Sequence, residues 1–566
     1  MLGPLLAFVA AQLIGRTVAF LQFGDANALP LRMTATTLQQ GLLVLAGTLL
    51  LGLTPVFMAA QQTLISYQQQ VARSARPPIW QRMYLDILIL IAAGYGYYTL
   101  RSQGSLVPIA GAATADPFSN PLSLLLPATA LLGASLLMVR LFPLIAASLA
   151  GVGQRFIGAT TLLALRHLAR SPEQGRSIVL LTVLTLALGS FSASMATTLD
   201  QNDADRIAYA TGGDVRITER AELSRVEERW TTLPAWEHGQ VPGVQSWSRV
   251  RLSDVSATVG GGGTASGQLV ALDRAGYATG GWWRDDLSQE SLGRVMNVLA
   301  AEPQAVVVSR GFLAASRLRI GDPVTLTIGD SPSDTVTQDF LIRDAIDSFP
   351  TVYPVPGEFF FIANYDYVYL VDDPATYDVI LKLAPGTDTE TVVNAIRERG
   401  FTVDGVEDAK SLIAATRERP ERVGFVGLLS LGFVAATGLT MLALLLYSLF
   451  SFRRRMVQIG VLRAAGLSMA QLIWLLAFEL CFLTVTSAIA GTALGIAAAR
   501  LFVPFYQLGN TIEARTPSFI VVIAWSEIGR LFLILGTMLL ITLLATTLLL
   551  RRLRIHEAIK LGQELG

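Results

Sequence analysis

Long apolar runs alternate with shorter polar stretches at both ends of the chain, and a mixed pattern fills its middle. Eight runs predict membrane spans, near Leu2–Phe23, Gly41–Ala60, Leu85–Leu100, Leu122–Leu141, Ile178–Thr198, Val423–Phe450, Ile473–Val503 and Leu531–Leu550. The segment between the fifth and sixth runs, Leu199–Arg422, reads differently. Short alternating or β-branched runs bounded by turn residues predict strands at Asp214–Thr218, Gln268–Leu272, Ala305–Ser309, Pro323–Ile328, Tyr367–Val371 and Val379–Leu383. Helical spacing covers Ser288–Ala301, Arg310–Leu318 and Thr389–Arg399, and Gly260–Gly263 reads as a hairpin tip rather than a phosphate loop. The fold class expected is an α-helical polytopic membrane protein with about eight transmembrane helices and one α+β extracytoplasmic domain.

Charge orients the spans. The 566-residue chain has 43 basic and 43 acidic side chains, but Leu199–Glu421 holds 34 acids and 20 bases, leaving 9 acids and 23 bases elsewhere. Arginines cluster after the second span (Arg73, Arg76, Arg82), between the fourth and fifth (Arg155, Arg166, Arg170, Arg176), after the sixth (Arg453, Arg454, Arg455) and after the eighth (Arg551, Arg552, Arg554). With alternating spans all four clusters fall on one side, which the positive-inside rule makes cytoplasmic. Both termini are then cytoplasmic and the acidic middle is extracytoplasmic. Bases confined to span ends argue against a nucleic-acid partner and for the lipid bilayer.

Several chemistries are disfavoured. Cys481 is the single cysteine, so no disulfide within the chain is available. His167, His238 and His556 have no metal-ligand spacing, and no cofactor motif is present. The lysines are Lys382, Lys410 and Lys560, none after glycine, so a P-loop is missing, and G-x-S-x-G and H-E-x-x-H are missing too. The chain is expected not to be an enzyme. Glu479 is an ionisable group inside the seventh span, where a charge is costly; an interhelical hydrogen bond or snorkelling is the reading. Gly491 and Gly495 form a GxxxG face suited to close helix contact, within one half of a membrane assembly or between two.

The stretch from Phe452 to Gly466, between the sixth and seventh runs, begins with Arg453-Arg454-Arg455 and continues through Gln458, Leu462 and Arg463 as a short amphipathic helix. It resembles the coupling helix of FtsX-like and MacB-like ABC transporter permeases. Three further stretches carry the same resemblance. Ala164–Pro172 looks like the elbow before a first span, Ala305–Val324 like the MacB-type extracytoplasmic core, and Ile555–Lys560, with His556 and Glu557, like the C-terminal coupling element. The resemblance implies a permease subunit without its own ATPase, in which a cytoplasmic ABC ATPase subunit moves the coupling segment and the spans pass that motion outward. Export or extraction of a lipoprotein, lipid, peptide or drug is the function implied. A transport-inactive machine controlling a cell-envelope hydrolase and a membrane-anchored sensor are the alternatives. A second permease half or an adaptor protein is an implied partner. Gln458 stands where most such permeases carry glutamate, so a contact there keeps only a neutral hydrogen bond.

Phe20-Leu21-Gln22-Phe23-Gly24-Asp25 matches Phe505-Tyr506-Gln507-Leu508-Gly509-Asn510, each at the end of a span and each followed by another span. The repeat divides the chain into 1–76, the end of a first module; 77–157, a two-span linker; 158–198, an elbow and first span; 199–422, the extracytoplasmic domain; and 423–566, the last three spans. On this reading the chain begins partway through its first module.

Overall fold

The computed structural model describes residues 2–24, 39, 46–47, 49–50, 53, 79–103, 125–153, 158–170, 175–224, 229–259, 263–329, 335–370, 373–464, 466–506 and 511–552. Two compact units result: a helical unit (Met1–Leu199, Glu418–Tyr506, Val521–Gly566) and a sheet unit (Asp200–Arg417, Gln507–Ile520).

Among the described residues the longer helices of the helical unit are α1 (Leu2–Ile14), α2 (Leu85–Gln103), α3 (Leu126–Gly153), α4 (Ala159–Arg170), α5 (Arg176–Thr211), α6 (Pro420–Ala464), α7 (Met469–Phe502) and α8 (Trp525–Arg552). Among the described residues five helices are long and apolar enough to cross a membrane: α3, α5, α6, α7 and α8. The expected first span is different. Helix α1 has 13 residues, about 20 Å at 1.5 Å per residue, too short for the bilayer core. The chain then turns into a small hairpin, Thr17–Ala19 against Gln22–Phe23, with Leu21 at φ 59° in its turn. The second expected span lies almost wholly outside the described residues. The third is helix α2, whose tyrosines, Asp86 and Arg101 leave it less apolar than the five. Its fully buried Asp86 meets Arg140 of α3 at 3.1 Å, so the two helices of the expected linker are tied by an ion pair.

Helix α5 is the centre of the helical unit. Most of its apolar window is buried, whereas α6 and α8 leave most of theirs uncovered. Leu186 and Ala193 of α5 pack with Phe433, Leu531 and Leu535, while Val179 and Val183 pack with Phe142, Leu168 and Leu483. Helix α7 starts from a capping box in which Ser468 accepts from the Gln471 amide and the Gln471 side chain bonds back to the Ser468 amide.

Among the described residues the main sheet of the sheet unit has nine strands, β1 (Val215–Arg220), β2 (Val244–Val259), β3 (Gly263–Leu272), β4 (Ala305–Ser309), β5 (Pro323–Ile328), β6 (Val336–Ile346), β7 (Phe359–Asn364), β8 (Thr376–Leu383) and β9 (Thr402–Asp408), and Glu222–Ser224 pairs with Arg229–Thr231 apart from it. They are ordered β9-β1-β8-β2-β3-β7-β4-β6-β5, and β5 pairs back onto β2 through Val255–Thr258. Six strands therefore close into a ring, with β8, β1 and β9 extending from β2. Alternation along the strands sorts two cores. Leu269, Ala271, Val306, Val308, Phe361 and Ala363 join one with Phe312, Leu326 and Phe340. Val270, Leu272, Val307 and Ile362 join the other, covered by Val295, Met296 and Leu299 of the helix Leu292–Ala301. Strand β4 is buried at all five positions, and it reads as an unbroken apolar run because neither face meets water.

The expected strands at 305–309 and 323–328 are found with those bounds, those at 268–272 and 379–383 within longer strands, and that at 214–218 as Val215–Arg220, with Asp214 outside it. The expected strand Tyr367–Val371 is not: Tyr365–Val368 is a helical turn whose Tyr365 side chain lies under the Arg249 guanidinium at 4.2 Å. Gly263 pairs with Val259, so the hairpin tip falls at 260–262, outside the described residues.

Candidate functional site

The expected coupling segment is continuous with the preceding expected span. Arg453, Arg454, Arg455, Gln458, Leu462 and Arg463 all lie on α6, a single helix of 45 residues, instead of on a separate short helix. No proline interrupts it between Tyr447 and Ala464, so backbone hydrogen bonding carries through the arginine run. A straight helix of that length extends about 67 Å, roughly twice the bilayer core, and its second half has to project beyond the membrane. Gly466, at φ 97°, stands just beyond the helix end in a conformation that favours glycine. His556 and Glu557 lie outside the described residues.

Glu479 is buried in α7, with 4% of its side chain exposed. Tyr447 of α6 donates its hydroxyl to Glu479 Oε1 at 3.2 Å, and His167 Nδ1 of α4 lies 4.0 Å from the same oxygen. Helices α4, the expected elbow, α6 and α7 thus converge on one carboxyl group. An interhelical hydrogen bond, one of the two readings of Glu479, is what the helices make. Its partners Tyr447 and His167 escaped sequence reasoning, since neither stands in a motif with Glu479.

Gly491 and Gly495 pack against α5. A Cβ at Gly491 would lie 2.6 Å from the Val183 carbonyl oxygen, and one at Gly495 2.5 Å from that of Ala187. Both are closer than real Cβ atoms come, so the two backbones touch only because these side chains are absent. The glycine face serves packing within the helical unit. Nearby, the hydroxyls of Thr185 and Thr440 bond at 2.7 Å between α5 and α6.

In the sheet unit the last turns of α5 are fastened by several bonds. Tyr209 donates its hydroxyl to the Phe349 carbonyl at 2.6 Å and to that of Val352, the Thr351 amide donates to Tyr209 O at 2.9 Å, and the Trp282 amide donates to Gly212 O at 2.8 Å. Elsewhere in this unit a groove of about 800 Å³ is lined by Trp247, Arg249, Asp273, Tyr365, Asp366 and Leu370, among others. Arg249 forks onto Asp273 at 2.8 and 3.0 Å and reaches Asp366 at 2.8 Å. Burial works against its charge, but the bonds to Asp273 outweigh that and raise its pKa. With Nε and Nη2 already on carboxylates, Arg249 holds the groove wall together.

Among the described residues no group of three or more His, Cys, Asp or Glu side chains is arranged to hold a metal ion.

No curated protein matches the chain. Among solved structures it is similar to the periplasmic region of MacB from Actinobacillus actinomycetemcomitans, at 9% identity over 37% of this chain and 94% of that one, with a TM-score of 0.23. It is also similar to the extracellular domain of the noncanonic ABC-type transporter YknZ from Gram-positive bacteria, at 12% identity over 34% of this chain and all of that one, with a TM-score of 0.22. Residues 430–558 match the family model for the FtsX-like permease C-terminal domain, a range that takes in the coupling segment, Glu479, Gly491, Gly495, His556 and Glu557. Over those residues the chain is similar to the FtsX-like permeases.

Proposed function

We propose that the chain is the permease subunit of an ATP-binding-cassette transporter of the FtsX/MacB type, working with a separate cytoplasmic ATPase. The observation that carries this reading is the family match over 430–558, within which Arg453–Ala464 continues a membrane helix without a break. A continuous helix resists bending, so a push on Arg453–Arg463 reaches the stem at Tyr447 without being absorbed in a loop. There Tyr447 meets Glu479, and Glu479 meets the elbow helix at His167, so the push is shared among three helices. Helix α5, packed against α7 through Gly491 and Gly495, continues to Thr211 in the sheet unit, where Tyr209 holds it. The work done is displacement of an extracytoplasmic domain that handles a lipoprotein, lipid, peptide or drug on the outer side.

The test is ATP turnover by a candidate partner cassette ATPase, with and without the chain in lipid nanodiscs. The chain should bind and change turnover. The double substitution Leu462→Asp and Arg463→Asp should abolish that change with the helical unit still folded. Normal stimulation by the double variant would refute the role given to this segment.

A further inference from the structure

His238 belongs to the sheet unit, and its ring has no exposed surface. It stands on the short helix Ala235–Gln240, which lies against β2. Both ring nitrogens face oxygen atoms. Nδ1 is 2.8 Å from the Ala235 carbonyl oxygen, and Nε2 is 2.8 Å from Oε1 of Glu219, a β1 residue whose side chain is equally buried. A carbonyl oxygen only accepts, so Nδ1 carries a hydrogen. The second contact then needs a hydrogen of its own. An imidazolium donates to a carboxylate, or a carboxylic acid donates to an imidazole. Either way the pair holds one proton more than a neutral histidine beside an ionised glutamate. Without that proton two lone pairs would face each other at 2.8 Å inside the core.

The groups around the pair are aromatic, or charged and already bonded to others. The His238 ring packs on Phe401 with centroids 4.3 Å apart and lies 6.2 Å from that of Trp247. Tyr377 of β8 stands directly across from Glu219; burial first, and then the neighbouring carboxyl, raise its pKa, so its hydroxyl stays neutral. Glu237, on the short helix itself, bonds Arg399 at 2.8 Å, and Arg399 also donates to the Gln240 carbonyl at 3.1 Å. Arg249, whose field reaches Tyr377, is held by Asp273 and Asp366. Gly239 and Trp247 both line the groove of the sheet unit. A Cβ at Gly239 would lie 3.0 Å from Trp247 Nε1, so the segment and the groove wall touch.

We propose that His238 and Glu219 form a proton-operated catch on the wall of this groove. With the shared proton in place the segment Ala235–Gln240 is seated on β1 and covers one side of Trp247. With the proton gone the segment lifts and that cover is lost. The catch lies within the sheet unit and needs no ATPase, so it stands apart from the permease reading.

The direction of the pH effect follows from a proton count. A free imidazole loses its proton at about pH 6.5 and a free glutamic acid at about pH 4.3. Between about pH 5 and 6.5 the seated and lifted states hold equal numbers of protons. Above about pH 6.5 the lifted state holds one fewer, so lifting becomes about tenfold easier per pH unit.

The test is amide exchange over 235–241 in the full chain in nanodiscs, corrected for the intrinsic rate at each pH, with the helix Leu292–Ala301 as internal reference. Protection of 235–241 should be level from about pH 5 to 6.5 and then fall about tenfold per unit to about pH 8.5, while the reference stays level. Level protection of 235–241 over the whole range would overturn the catch, and so would a fall shared by the reference. Glu219→Gln puts an amide N–H where the shared proton lies. Its protection at pH 6 should stay within about threefold of the parent, and the alkaline fall should vanish. A fall that survives in Glu219→Gln overturns the assignment to this pair. Arg399→Gln removes a surface bond from the same segment and should lower its protection at every pH with the slope unchanged. A slope lost in Arg399→Gln would trace the effect to the surface pair and overturn the catch as well.

Discussion

The two units use the same aliphatic residues in opposite ways. In the sheet unit Val306, Val307 and Phe361 have no exposed surface, whereas in the helical unit Leu439 and Leu533 are 58% and 69% exposed. Water drives the first arrangement, since each apolar side chain withdrawn from it is a gain. Lipid removes that gain, because a leucine against another helix is no better off than against an acyl chain. The helical unit relies on what lipid cannot supply: backbone contact at Gly491 and Gly495, the Thr185–Thr440 hydroxyl pair, and the Tyr447–Glu479 bond. The sheet unit is held by volume, the helical unit by a few specific contacts.

That contrast can be broken or sharpened by substitution. The largest effect should come from Phe361→Ala, which empties the ring beneath Phe312 and should cost about 3–5 kcal/mol, read as lost amide protection across β3, β4 and β7. Next is Gly495→Leu, whose Cβ must displace the Ala187 carbonyl, at about 1–3 kcal/mol in thermal unfolding of the chain in nanodiscs. Tyr447→Phe should cost about 0.6 kcal/mol in the same assay, the usual scale of an interhelical hydrogen bond in lipid. Acid should act on a smaller scale. Burial works against the Asp286 charge, but bonds from Arg284 and Ser518 outweigh it and hold its pKa below the ordinary carboxylate value. The stability it contributes is present above that ordinary value and is lost as pH falls through the depressed one. Partial exposure limits the effect to about 0.5 kcal/mol, seen as falling protection of 511–518 after correction for intrinsic exchange, and absent in Asp286→Asn. The smallest effect should be Leu533→Ala, within about 0.5 kcal/mol; a loss like that of Phe361→Ala would mean that α8 is covered by protein in the membrane.

What could be read from the amino acids follows the same division. Strand β4 was legible because its Ala-Val-Val-Val run is buried on both faces, and the helix Thr389–Glu398 because Asp388 caps it and Val392, Val393 and Ile396 share a face. Strand β2 was missed: Ser248, Arg249, Ser253 and Asp254 interrupt its apolar alternation, and its course is set by pairing with β8, β3 and β5. Tyr367–Val371 has the aromatic and β-branched composition of a strand, yet the cation–π contact of Arg249 with Tyr365 accompanies a helical turn there. Leu2–Phe23 has the apolar length of a span, but the helix ends at Ile14 and Gly15 precedes the hairpin. At the candidate site, the cost of burying Glu479 marked it in the sequence, while its partners come from helices that only tertiary packing brings together. The glycine spacing was visible and its partner α5 was not. The arginine run at Arg453 was visible, and nothing in its spacing showed that the span would continue through it as one helix.

The ring in the sheet unit has a consequence for solubility. A strand with unpaired backbone along one side is a template for adding foreign strands, and thus a starting point for aggregation. Pairing β5 back onto β2 gives every strand of the ring two neighbours, which leaves β9, among the described strands, as the margin of the sheet. That margin carries Asp404, Glu407 and Asp408, the first two engaged by Arg220 and Arg216 of β1. A foreign strand added there would have to cover these charged side chains, so the margin acts as a gatekeeper against self-association.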